Sequence, residues 1–374
     1  MKKFHVLTVA CAAAAFLAGC GGNSAGDQSP RVAFTSMVSF GDSLSDVGSY
    51  NVGVVAAQGG GHFSINGQGA TGLLWTNWTE FLSATLKLSA PCAAETGLDT
   101  YGAAVPVAWH DASGGGTCLN YAQGGSRVTA LAGPGNIAYF NPAQPVSATN
   151  TPIGQLTVPV VTQIQNYLDH NGDTFTGSQL VTVFAGGNDI FINVGAVNAG
   201  LATPAQAVGA MTQAGADLAG YVNNKILAKG ATHVVVVNLP DVSLTPYAVA
   251  AGAQGQALVK QMTQAFNAEL QKDLTAGSSL VFVDAFTVSE DQATNSAQYG
   301  LSDVTHPACD LTVVSSSLVC TKSTLIAAVA PAASSAPATA ANTYEYADSV
   351  HPTPYGYRLL AELVGEQLAI KGWL

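Results

Sequence analysis

Several short, almost uninterrupted apolar runs, separated by stretches with helical spacing, constrain this chain most. The runs are VAFTSMVSF (32 to 40), LVTVF (180 to 184), HVVVVNL (233 to 239) and LVFVDAF (280 to 286). A strand with one wet face alternates apolar and polar residues, whereas a run such as 234 to 237 needs apolar cover on both sides. CLNYA (118 to 122) reads as a further short strand, second in chain order. Between the runs, Leu74, Trp75, Trp78, Phe81 and Leu82 share one helical face. Val161, Ile164 and Leu168 share another within a helix expected over 157 to 169, and further helices are expected over 203 to 228, 256 to 274 and 354 to 370. Strands alternating with helices predict an α/β fold whose parallel sheet is covered on both faces.

Charge narrows the function classes. Only 9% of the 374 residues are charged while 48% are hydrophobic, which excludes a disordered chain, since disorder combines low hydrophobicity with high charge. No stretch approaches the roughly 20 consecutive apolar residues that a spanning helix needs. The net charge of −11 excludes nucleic acid as a partner, because that binding rests on Lys and Arg neutralising phosphate. A monomer is expected.

The first twenty residues form their own unit. Lys2 and Lys3 precede an apolar run from Val6 to Ala18 that is too short for a membrane span and has the shape of a secretory signal. The run ends in Leu17-Ala18-Gly19-Cys20, which resembles the lipobox of bacterial lipoproteins, while Cys11 has too little apolar sequence before it. That resemblance implies a signal peptide over 1 to 19, diacylglycerol and an acylated amine on Cys20, and a membrane anchor made of lipid. Gly21, in place of an acidic residue, points to the outer membrane. Loss of the signal removes two lysines and no acid, so the mature net charge is −13. Residues 20 to 31 are small and polar and read as a tether, and 32 to 374 as one domain.

Four cysteines remain: Cys92, Cys118, Cys309 and Cys320. An even number in an exported chain suggests disulfides; four permit three pairings, and proximity favours Cys92 with Cys118 and Cys309 with Cys320. Their spacing lacks the paired CxxC of a zinc site, and neither metal nor organic cofactor is expected. Three regions break the strand and helix rhythm: 51 to 72, 89 to 117 and the low-complexity stretch 331 to 342.

Chemistry concentrates just after the strands. Gly41-Asp42-Ser43-Leu44-Ser45-Asp46 follows the first run, where an open α/β sheet places its ligands. Ser43 could equally cap a following helix, and as a nucleophile it needs a base and a group orienting that base. Of seven histidines, His351 stands out, because Asp348-Ser349-Val350-His351-Pro352 sets a carboxylate three residues ahead, within one turn. Acyl transfer also needs donors aimed at the developing oxyanion. Asn120-Tyr121-Ala122-Gln123-Gly124-Gly125 follows the second run and Gly186-Gly187-Asn188-Asp189 the third, so both segments converge with Ser43 and the final helix on one sheet edge.

GDSLSD, NYAQGG, GGND and DSVHP, in this order, resemble the four blocks of the GDSL, or SGNH, hydrolase family, over about Val32 to the C-terminus. HVVVVNLPDVSLTP (233 to 246), FNAEL (266 to 270) and QYGLSDV (298 to 304) are similar to its secreted bacterial esterase, phospholipase and acyltransferase branch. The resemblance implies a three-layer α/β/α sandwich around a flavodoxin-like, five-stranded parallel sheet. It also implies Ser43 as nucleophile, His351 as base and Asp348 as its orienter. The oxyanion donors would be the Ser43 N–H, the Asn188 amide and the Gly125 N–H, with Gly124 as an alternative one residue away. The implied substrate is an acyl ester or lipid. Acyl transfer from phospholipid, polysaccharide O-deacetylation and a catalytically dead surface binder remain alternatives.

Overall fold

The computed structural model describes residues 32–67, 73–97, 107–134, 157–327 and 343–374. The expected signal peptide over 1 to 19, Cys20, the expected tether over 20 to 31 and the low-complexity stretch 331 to 342 lie outside the described residues.

Four parallel strands form the central sheet in the order β1 (Ser36–Gly41), β2 (Gln179–Phe184), β3 (Val234–Val237) and β4 (Leu280–Val283). All six residues of β2 and all four of β3 are buried, which is why these runs carry no polar alternation. The sheet has four strands where five were expected. Segment 118 to 122 does lie parallel beside β1, with the Ser39 N–H donating to the Leu119 carbonyl and the Tyr121 N–H to the Ser39 carbonyl. It makes one bridge on each side, to Ser39 and to Ala93, and divides its backbone between β1 and the 92 to 94 segment. A regular ladder therefore does not extend.

Helices α1 (Trp78–Thr85), α2 (Val160–His170), α3 (Gly187–Asn198), α4 (Pro204–Tyr221), α5 (Gly252–Asp273), α6 (Ala285–Thr294) and α7 (Pro354–Lys371) accompany the sheet. Two depart from sequence periodicity. Leu74 and Trp75 precede α1, because Asn77 and Glu80 close a capping box at Trp78, and Leu74 is left exposed. The expected strand over 280 to 286 ends at Val283, where Asp284 accepts from the Thr287 N–H and starts α6. Helix α3, absent from the sequence reading, follows directly on the Gly186-Gly187 turn.

One large apolar core joins the sheet to α2, α4, α5 and α7, with Phe40, Phe184, Phe266 and Tyr357 fully buried. Both disulfides take the pairing that proximity favours. Cys92–Cys118 ties the segment beside β1 to the 92 to 94 segment, and Cys309–Cys320 lies in a small separate cluster with Ile65 and Ala347. Among the described residues no helix is long and apolar enough to cross a membrane.

Candidate active site

Ser43 lies two residues beyond the last β1 residue, in a turn whose start has no room for a side chain. A Cβ on Gly41 would stand 2.2 Å from the Phe184 carbonyl oxygen on β2. The amide of buried Gln163 on α2 fixes Gly41 further: its Oε1 accepts from the Gly41 N–H and its Nε2 donates to the Gly41 carbonyl, both at 2.8 Å. Asp46 then draws the turn closed. Its carboxylate accepts from the N–H groups of Gly48 and Ser49, from the Ser49 hydroxyl and, across the site, from the Gly124 N–H at 2.9 Å.

Ser43, His351 and Asp348 form one hydrogen-bonded chain. His351 Nε2 is 2.9 Å from Ser43 Oγ, and its Nδ1 is 2.9 and 2.8 Å from the two oxygens of Asp348. Asp348 is buried, and three backbone N–H groups donate to it: Ser317, Val350 and His351. Burial by itself would raise this carboxyl, but the His351 charge and those donors hold it well below the usual carboxylate range. An anionic Asp348 keeps the proton on Nδ1 and leaves Nε2 free to accept the serine proton. The Phe63 ring lies 4.9 Å from the imidazole, tilted by 36°.

Asn188 opens the first turn of α3, and its Nδ2 donates to the Ser126 carbonyl at 2.8 Å. One amide proton satisfies that carbonyl and the other is left for a ligand. Its neighbour Asp189 accepts from Arg127 Nε at 2.8 Å and from the Val128 N–H at 3.0 Å, binding the 123 to 128 loop to α3. Of the two candidate glycines, Gly124 has its N–H committed to Asp46, and a Cβ on it would stand 2.2 Å from the Phe63 ring. The Gly125 N–H, like that of Ser43, donates to no acceptor among the described residues.

Ser43, Asn188 and His351 share the wall of one cavity, with Asp42, Phe191 and Val242. Gly125 is not part of that wall; it sits between the Gly124 anchor on Asp46 and the Ser126 carbonyl that holds Asn188. Asp42 is pushed up to about 7 by burial, against the Leu44 N–H and the His351 charge. The arrangement can deprotonate a serine hydroxyl at the mouth of a mostly apolar cavity and offer it amide donors.

Residues with no chemical role in the sequence reading hold this geometry. Asp46 and Asp189 lie inside quoted motifs, so their positions were visible and only their partners were not. Gln163, Ser317 and Asn66 carried no local signal. Asn66 Nδ2 donates to the carbonyls of Ser317 and Cys320, which seats the Cys309–Cys320 loop so that Ser317 faces Asp348.

The model of the GDSL-like Lipase/Acylhydrolase family matches residues 37–364. The chain belongs to this family. As a GDSL hydrolase it is an enzyme of ester hydrolysis, and its parallel sheet flanked by helices agrees with the SGNH α/β/α architecture. The family match runs from within β1 to within α7, so it takes in every motif around the cavity. No curated protein matches the chain closely enough to count as a relative.

Proposed function

We propose that the protein is a serine carboxylic ester hydrolase acting through an acyl-enzyme on Ser43. Ser43 Oγ attacks the acyl carbonyl carbon as His351 Nε2 takes its proton. The oxyanion lies among the N–H groups of Ser43 and Gly125 and the free amide proton of Asn188. Collapse breaks the bond to the alcohol oxygen, which leaves with the proton from His351. Water then attacks the acyl-enzyme, gives a proton to His351, and the acid departs as that proton returns to Ser43 Oγ. Asp348 stays anionic throughout and stabilises the imidazolium. The observation that carries this reading is the continuous chain from Asp348 through His351 to Ser43, ending in the cavity that Asn188 also lines.

A fluorophosphonate tests it. Covalent label on Ser43 in folded protein, lost in His351→Ala together with hydrolysis of p-nitrophenyl acetate, is the expected result. Labelling at another serine would overturn the assignment.

The export reading joins this proposal: the mature protein is held on the outer membrane by lipid on Cys20. Incorporation of labelled palmitate into the wild type, and its loss in Cys20→Ala, is expected. Palmitate retained in Cys20→Ala would refute the anchor.

A further inference from the structure

Two kinds of donor hold Asp348. The Val350 and His351 N–H groups belong to its own turn, and both reach Oδ1, at 2.9 and 2.8 Å. Oδ2 accepts from the Ser317 N–H at 2.8 Å and, apart from His351 Nδ1, meets no other donor among the described residues. Ser317 lies 31 positions earlier in the chain. The last torsion of an aspartate is soft, so a carboxylate held at one oxygen can still swing the other away from the imidazole. Asp348 is only 4% exposed, and little water reaches it to replace a lost donor.

The Ser317 hydroxyl adds nothing to this contact, because its Oγ is buried without a partner. Its main chain is what the surroundings hold. Ser317 opens a 3-10 turn, Ser317–Val319, directly after extended Ser316. On one side, Asn66 Nδ2 reaches the Ser317 and Cys320 carbonyls at 3.0 and 3.1 Å, and the Asn66 N–H donates to the Cys320 carbonyl at 2.7 Å. The Gly61 N–H donates to the Leu318 carbonyl at 2.9 Å, and a Cβ on Gly60 would stand 2.2 Å from that same oxygen. On the other side, the disulfide joins Cys320 to Cys309, whose N–H donates to the carbonyl of Ala347, the chain neighbour of Asp348. The loop therefore meets the Asp348 segment twice, at Ala347 through Cys309 and at Asp348 itself through Ser317.

Resting on the ester-hydrolase reading, we propose that Ser317 is a positioning residue for the reaction, acting through its main-chain N–H on Asp348 Oδ2, with the Cys309–Cys320 loop as its seat. Asp348 must stay anionic and aimed at Nδ1 while His351 carries the serine proton. The Ser317 N–H sets that aim and takes up part of the carboxylate charge. Ser317 is absent from the wall of the cavity at Ser43, so the effect falls on turnover and not on substrate binding.

Main-chain variants test it. Proline suits the first position of a helical turn after an extended residue and has no N–H, so Ser317→Pro removes this donor. An ester in place of the 316–317 amide, made with the α-hydroxy analogue of alanine, removes the same N–H without a ring. Ser317→Ala keeps the N–H and is the reference for both. Relative to it, kcat on p-nitrophenyl acetate is expected to fall by roughly tenfold or more with KM within about twofold, since a hydrogen bond to a charged group is lost while Asp348 remains. With one donor fewer, Asp348 favours the imidazolium more strongly, so the acid limb of kcat/KM is expected at higher pH than in the reference. Rates are counted per serine labelled by a fluorophosphonate, which separates lost turnover from lost folded protein. Should circular dichroism show the proline variant unfolded, the ester variant decides by the same readings. The inference is overturned if a folded variant keeps the kcat or the acid limb of the reference, if the loss lies in KM, or if Ser317→Ala loses as much turnover as they do. A wild type that neither hydrolyses the ester nor takes the label would sink the ester-hydrolase reading, and the inference with it.

Discussion

Two histidine–aspartate pairs in this protein have nearly the same contact and different surroundings. His351 Nδ1 lies 2.8 Å from Asp348, and His170 Nδ1 lies 2.7 Å from Asp111. Both carboxylates are buried beneath imidazoles whose side chains are only 13% and 21% exposed. They differ in what lies beyond the contact. His351 presents its other nitrogen to Ser43 in a cavity. The second pair is closed by protein: the Tyr121 hydroxyl donates to the same Asp111 oxygen at 2.5 Å, and Trp109 meets the His170 ring edge-on at 4.6 Å. Asp111 lies within the Cys92–Cys118 loop and His170 ends α2, so this pair braces a loop against a helix. A carboxylate on Nδ1 orients an imidazole in either place, and the partner of Nε2 decides whether chemistry can follow.

Breaking the first pair should cost activity, and breaking the second should cost stability. The largest effect is expected for Ser43→Ala: a fall in kcat of about 10⁴-fold or more on p-nitrophenyl esters, with an unchanged circular dichroism spectrum. Asp348→Asn is expected to lower kcat by roughly 10³- to 10⁴-fold, because the imidazole then adopts the wrong tautomer. Asp111→Asn should leave kcat within about threefold and lower stability by about 1 to 3 kcal/mol in urea unfolding. Equal kinetic losses in the two asparagine variants would dissolve the contrast. Asn188→Ala is expected to reduce kcat by about 10²- to 10³-fold with little change in KM, the mark of a donor that acts on the transition state.

The smallest effect concerns Glu95, beside the brace, whose carboxyl is raised to about 7 by burial and then by the Asp111 charge. The folded protein holds a proton there that the unfolded chain releases at its ordinary carboxylate value. Glu95 therefore lowers stability as pH rises between that value and about 7. Glu95→Gln should flatten melting temperature against pH between pH 5 and 8. An unaltered slope would show that Glu95 does not sense the brace.

Much of the architecture was legible because its signals are local. A buried strand needs both faces apolar, which HVVVVNL shows without a neighbour, and Asp348 lies within one turn of His351. Helix α3 is hard to read from sequence because no side chain caps its start and its pair of glycines reads equally well as a turn. Segment 118 to 122 has the composition of a strand, but it pairs for one residue on each side, an outcome set by the chain around Cys92. The pairing of His170 has no local signal, because its carboxylate is 59 residues away.

The choice between Gly124 and Gly125 shows where the boundary falls. The amino-acid sequence by itself determined that a glycine stands in that loop, that an aspartate lies within a turn of a histidine, and that apolar strands bring serine, amide and imidazole to one edge. Only the tertiary structure decided which N–H is left over, because Asp46, 78 residues away, takes that of Gly124. It likewise decided that Ser317 faces Asp348. Periodicity and spacing record what a residue meets within a turn or a strand. Which donors and faces stay unsatisfied depends on partners brought together by the whole chain.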